Sequence, residues 1–269
     1  VKLGFISLFL IFLGCKTSYD TITTRIPVSA PVPFGTNRAA GAIKWAEGYF
    51  PLTLRLDSNL VSYYDSGNEA GHGPQVMATK WDNALAGKVL FNYDFEDTIT
   101  PAQSNVEDYD DGELGIYGIE DWFSDVSSNA LAITQYFAVR RNPGTSNEYL
   151  EIIHADILVN LDFLFSDDGS RNKYDLSSIL LHELGHFLGL GHYFGRENSV
   201  MDPYIHLGEV KRSLFSTDLQ AIRDNYPTMI NPSSTGVTAT RSIPAEGEEI
   251  VRGIIEQRAG GNCVHHKHY

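Results

Sequence analysis

The chain has 269 residues, enough for one domain with a single core plus tails. With 42% apolar and 12% aromatic residues it has the composition of a globular protein and not of a disordered one. Its net charge of −14 argues against nucleic-acid binding, which needs a basic surface, and is compatible with an exported protein or with cationic substrates; a solvated acidic face is the simpler reading.

Residues 1–15, VKLGFISLFLIFLGC, read as a targeting segment: Lys2 precedes an apolar run from Leu3 to Leu13, of signal-peptide length and short for a membrane span. The run ends in Leu-Gly-Cys, which resembles a bacterial lipobox, with Phe12 where Leu is usual. Lipidation of Cys15 is therefore expected, a plain secretory cleavage being the alternative. Cys263 would then have no disulfide partner. Residues 16–40 carry Pro27, Pro31 and Pro33 among Ser and Thr and read as a tether. A catalytic domain is expected over 41–228.

Within that domain, Leu52, Leu54 and Leu56 alternate with Thr53 and Arg55, the pattern of a half-buried strand. Val76, Trp81, Ala84, Leu85 and Val89 recur at helical spacing and predict a helix over 75–90. A carboxylate-rich loop is expected over 95–118. Residues 130–141 and 149–164 read as two strands joined by the turn Asn142-Pro143-Gly144. Asp175 is a suitable N-cap for a helix carrying His182 and His186. A last helix should start near Ser216, turn Leu219, Ile222 and Tyr226 inward, and stop at Pro227. Residues 229–269 form a tail in which Ile250, Val251, Ile254 and Ile255 make an apolar stripe; this predicts a short helix over 244–258. The end, GGNCVHHKHY, sets Cys263 among His265, His266 and His268. A metal site there is less expected than a free tail.

The chemistry concentrates in HELGHFLGLGH. On a helix, His182 and His186 lie one turn apart on one face, close enough to share an ion. Glu183 then projects beside the metal as a general base. Gly189 lets the chain leave the helix and bring in His192 as a third nitrogen ligand. Three ligands leave a position for water and substrate, as catalytic zinc requires. Such a site hydrolyses amides without a Ser or Cys nucleophile: Glu183 accepts a proton from water and delivers it to the leaving amine. Ser199-Val200-Met201-Asp202-Pro203 follows closely, with Met201 placed to floor the site. His154 and His72 are ambiguous: a hydrogen-bonded sheet histidine is the simpler reading of the first.

These residues resemble the metzincin zinc endopeptidases. His182, His186 and His192 match the zinc ligands, Glu183 the base, Gly189 the turn glycine and Met201 the Met-turn. The short gap from His192 to Met201, and Pro203 two places later, look most like the matrixins, as does Ala155-Asp156-Ile157 ahead of the active-site helix. Two features depart: Tyr193 stands where matrixins commonly have Ser or Thr, and nothing upstream matches the inhibitory Cys of their propeptide. The resemblance implies an α/β (α+β zincin-like) fold. A twisted, mostly parallel mixed sheet would pack on two long helices, followed by the Met-turn and a C-terminal helix. It also implies one catalytic Zn²⁺, a protein or peptide substrate, and possible Ca²⁺ in acidic loops, with Asp108, Asp110, Asp111, Asp167 and Asp168 as candidates beside a solvated-loop reading. The expected place is the bacterial cell envelope, held by a lipid anchor only, or the exterior. Two other classes stay open: a catalytically silent zinc-binding adhesion lipoprotein, and a zinc hydrolase of a cell-wall peptide or other non-protein amide.

Overall fold

A computed structural model describes residues 42–61, 73–99, 103–194, 198–230, 248 and 250–260. The leader, the tether, Cys15, His72 and the Cys263–His268 cluster lie outside the described residues. In chain order the strands are β1 (Ala42–Trp45), β2 (Leu52–Asp57), β3 (Phe91–Ile99), β4 (Gly115–Ile119), β5 (Ala130–Arg141), β6 (Tyr149–Asn160), β7 (Phe165–Ser166), β8 (Tyr174–Asp175), β9 (Tyr204–His206) and β10 (Ile250–Gly260). The helices are α1 (Ser58–Val61), α2 (Pro74–Ala84), α3 (Leu176–Phe187), α4 (Ser216–Asn225) and α5 (Pro227–Ile230).

Eight strands form one sheet in the order β3-β2-β4-β6-β5-β10-β9, with β1 pairing on β6 as well, while β7 and β8 form a small separate pair. β1 and β4 share one edge of β6, lying parallel to its first and second halves, and β5 runs antiparallel along the other edge. β10 is antiparallel to β5, so β5 is the one strand of this sheet that runs against the rest. The mixed, mostly parallel sheet agrees with the expected fold class. β5 and β6 are buried on both faces, which explains why their sequences read as near-continuous apolar runs and not as alternation.

One face of the sheet carries α2 and α3, which contact each other and share the main core with Leu54, Ile116, Ile152 and Ile157. Met77, Ala78, Trp81 and Ala84 form the buried stripe of α2, and the Trp81 indole donates to the Leu181 carbonyl on α3 at 3.0 Å. The opposite face is closed by Val106, Tyr109, Phe123 and Val126, packed on Tyr117, Ile133 and Leu158.

Four expectations change. The helix predicted over 75–90 ends at Ala84, because Ala86 and Gly87 take positive φ and the Asp82 carboxylate captures the Leu90 amide at 2.8 Å. Val89, expected inside, is 56% exposed. The predicted loop over 95–118 contains the end of β3 and the start of β4, whose small Gly-Ile-Tyr-Gly-Ile sequence is buried throughout. The strand predicted over 149–164 stops at Asn160, where the Asn160 side chain bonds Ala130 and the Asp162 amide and turns the chain. The helix predicted over 244–258 is instead β10. Its stripe read as helical, yet pairing with β5 from Ile250 to Arg258 satisfies its backbone and buries Val251 and Ile255.

Candidate zinc centre

The site is built on α3. The Asp175 side chain caps the helix by accepting from the Ser178 amide at 2.9 Å and also pairs with Arg212. At the other end the Leu190 amide returns to the Gly185 carbonyl at 2.9 Å and the Gly189 amide to that of His186 at 2.7 Å. This is the double bond of a Schellman turn. Gly189 has φ +87°, and a Cβ there would lie 2.1 Å from the Ile43 carbonyl oxygen of β1. Glycine is thus required twice, for the left-handed turn and for the close approach. The chain then reverses and brings His192 over the helix.

The Nε2 atoms of His182 and His186 lie 2.8 Å apart and those of His186 and His192 lie 3.1 Å apart. Both Nδ1 atoms on the helix face carbonyls: His182 donates to Val200 at 2.6 Å and His186 to Leu190 at 2.7 Å. A carbonyl can only accept, so the ring proton sits on Nδ1 and the Nε2 lone pairs converge. Three nitrogens bound tetrahedrally to one zinc ion lie about 3.3 Å apart, so the donor set and its spacing fit that ion. Burial drives the His182 imidazole well below its ordinary pKa and that of His186 to about 4. Burial and the neighbouring His186 do the same to His192. Neutral imidazoles are the form that binds a metal.

Glu183 is fully buried beside them. The Thr134 hydroxyl of β5 donates to its Oε2 at 2.6 Å, while its Oε1 has no hydrogen-bond partner. Burial pushes the carboxyl up to about 8, opposed by the Thr134 hydroxyl and by the Gln257 main-chain N–H that points to it from β10. A cation held by the histidines would draw it back down.

Met201 is fully buried, and a Cβ on Gly185 would lie 2.4 Å from its sulfur, so the thioether lies against the helix between the two ligands. Its turn is fastened by Asp218 of α4, whose carboxylate accepts from Ser199 Oγ at 2.5 Å, from the Val200 amide at 3.1 Å and from the Phe215 amide at 2.8 Å. The Tyr193 amide donates to the Met201 carbonyl at 2.8 Å, tying the residue after the third histidine to the same turn.

Among the described residues, the three histidines are the set of metal-ligating side chains that converges. The acidic candidates for calcium do not gather in this way. Asp108 bonds Asn105, Asp111 caps the Glu113 amide, Asp168 caps Ser170, and Asp110 is exposed. Asp167, the remaining candidate, gives its carbonyl to Arg212. His154 is a sheet histidine bonded at 2.7 Å to both Asp156 and the Tyr109 carbonyl. Thr134 and Asp218 were not identifiable from sequence, because each reaches the site across the fold. Only Asp218 carried a local signal, as the third residue of α4.

A sequence model of the matrixin family (Peptidase_M10) matches residues 75–227, more than half of the chain. Metalloendoproteinase 5-MMP of Arabidopsis thaliana is 36% identical over 78 residues, 29% of this chain and 21% of that protein. Metalloendoproteinase 2-MMP of the same plant is 41% identical over 68 residues, 25% and 17% of the two chains. The match thus spans about a fifth of these relatives' length. With the convergent histidines, the Met-turn and the sheet in place, the chain belongs to the matrixin family.

Proposed function

We propose that the protein is a zinc-dependent endopeptidase with Glu183 as general base. The observation that carries this reading is the convergence of the three Nε2 atoms beside a buried carboxylate with one free oxygen. Zinc held by His182, His186 and His192 would polarise the substrate carbonyl and make water acidic enough to ionise near neutral pH. Glu183 Oε1 takes the proton from that water and passes it to the leaving amide nitrogen. Thr134 holds Oε2 and so keeps Oε1 turned to the reacting atoms. The Val200 and Leu190 carbonyls hold two of the imidazoles in the tautomer and orientation that metal binding needs. Substrates are proteins or peptides. The reading of a silent binding protein is disfavoured by the retained Glu183 and its positioning bond to Thr134.

Glu183→Ala should keep zinc, measured by metal analysis, and lose about 10²–10⁴-fold in turnover of a peptide library. His186→Ala should lose the metal together with the activity, since two imidazoles hold zinc poorly. Turnover by Glu183→Ala equal to that of the wild type would sink the mechanism.

We further propose, on sequence alone, that the chain is exported and anchored through an acylated Cys15. Labelling with a fatty-acid analogue should mark the wild type and not Cys15→Ser; equal labelling of both rejects the anchor.

A further inference from the structure

Among the described residues β9 joins the main sheet only through β10, and β5 and β9 do not pair with each other. β10 lies between them. It runs antiparallel to β5 from Ile250↔Val139 to Arg258↔Ala130 and parallel to β9 from Arg258↔Tyr204 to Gly260↔His206. Near its end the Arg258 amide donates to the Pro203 carbonyl at 2.8 Å and the Ala259 amide to that of Asn129 at 3.1 Å. Adjacent strands lie about 4.8 Å apart, so without β10 a groove roughly 10 Å wide would separate β5 from residues 203–206. Both walls would present unpaired backbone donors and acceptors, the condition in which an extended polypeptide adds as a strand.

This groove adjoins the candidate zinc centre. One wall carries Thr134, opposite Ile255 in the register, whose hydroxyl holds Glu183. The other begins two residues after Met201, whose thioether lies against α3, and α3 itself contacts β10. With β10 in place, His182, Glu183 and His186 are 0% exposed, and Glu183 Oε1 is closed off from solvent. A peptidase has to admit a polypeptide to that oxygen. The strand is also imperfectly satisfied where it lies. Arg252 Nη2, Glu256 Oε1 and Gln257 Oε1 on β10, and Gln135 Nε2 on β5, are buried without a hydrogen-bond partner. Among the described residues no other strand of the sheet carries as many such atoms. Each gives up water without gaining a partner and so opposes docking, which makes this strand the one suited to come away.

We propose that β10 is an intramolecular inhibitor: it fills the substrate groove by strand pairing and keeps the protein latent until it is displaced. The inference rests on the zinc-peptidase reading. A segment of the same chain stands at an effective concentration of about 1 mM, so an added peptide at about 10 µM that pairs equally well is outcompeted about a hundredfold.

The test uses the full zinc-loaded chain and two variants that weaken β10 away from the histidines and Glu183. Arg258→Pro removes the amide that donates to Pro203, at the end of the strand. Val251→Asp puts a charge at a fully buried position near its start; should that variant fail to fold by circular dichroism, Arg258→Pro carries the test. Amide hydrogen exchange across 250–258 should be slow in the wild type and at least about tenfold faster in the variants. At unchanged zinc content the variants should cut a peptide library at least about tenfold faster than the wild type. A synthetic peptide with the sequence of residues 250–260 should bind the variants, read by fluorescence anisotropy, and slow their cleavage toward the wild-type rate. Unprotected 250–258 amides in the wild type, or protection that survives both substitutions, overturns the proposal alone. So do variants with faster exchange that cut no faster than an active wild type. A variant that holds zinc, binds the peptide and cuts nothing overturns the zinc-peptidase reading, and the inhibitory role falls with it.

Discussion

Asp218→Ala should unfasten the Met-turn from α4. The carboxylate is buried and accepts from Ser199 Oγ, the Val200 amide and the Phe215 amide. A hydrogen bond to a charged acceptor is worth about 1.5–3 kcal/mol, and a buried donor left unpaired costs about 1–3 kcal/mol. The Ser199 and Val200 donors are buried and would be stranded; the Phe215 amide is only half-buried and can turn to water. Against this, burial raises the Asp218 pKa despite all its bonds, so removing the charge recovers part of its desolvation cost. A net loss of about 3 kcal/mol follows, at the lower end of the sum. For a domain of this size that is a fall in Tm of roughly 6–12 °C. Because the Val200 carbonyl orients His182, zinc affinity should fall about 10–100-fold as well. Thermal unfolding followed by circular dichroism and chelator competition measure the two effects. A Tm within about 2 °C of wild type and unchanged affinity would refute the view that α4 holds the turn.

Thr134→Val should keep the fold and the zinc but reduce turnover at constant metal content, because Oε2 of Glu183 loses its donor; paired activity and metal assays check this. Gly189→Ala should cost more than about 3 kcal/mol in urea unfolding, since its Cβ meets the Ile43 carbonyl, whereas Gly144→Ala, left-handed but in open space, should cost about 1 kcal/mol. Burial raises the Asp156 pKa, and Asp156 with the Tyr109 carbonyl outweighs burial to raise that of His154. Both groups bind protons more tightly in the folded state than in the unfolded one, so this pair's contribution to stability should decline as pH rises from about 4 to 8. Asp156→Asn should flatten that slope in urea midpoints taken across the range.

The candidate zinc centre was legible because its residues are local: His182, Glu183 and His186 share one helix turn, and Gly189 fixes how His192 returns. Helical spacing and a left-handed glycine are properties that a sequence states directly. The strands β5 and β6 were equally plain, being long and rich in β-branched and aromatic side chains. What decided the rest lay elsewhere in the chain. The stripe Ile250, Val251, Ile254 and Ile255 fits a helix period, and only the open edge of β5, more than a hundred residues earlier, turns it into a strand. The end of α2 depended on Asp82 reaching Leu90, and the bond that holds the Glu183 carboxylate on Thr134, 49 positions away. The acidic stretch before β4 read as loop because its charges mask a short, glycine-containing buried strand.

β1 and β2 lie before the first residue that matches the family, and yet α3, the helix of His182 and His186, leans on β1. The Trp45 indole donates to the Phe187 carbonyl at 2.7 Å, the Tyr226 hydroxyl bridges the Trp45 amide and the Leu188 carbonyl, and Asn225 joins Ile43 to Leu188. β2 is also the strand that joins β3 to β4. A fragment trimmed to the matched span 75–227 would leave β3 without its partner β2 and the exit of α3 without its buttress. The family match thus begins inside the packed unit, and expression limits for this protein belong upstream of residue 42.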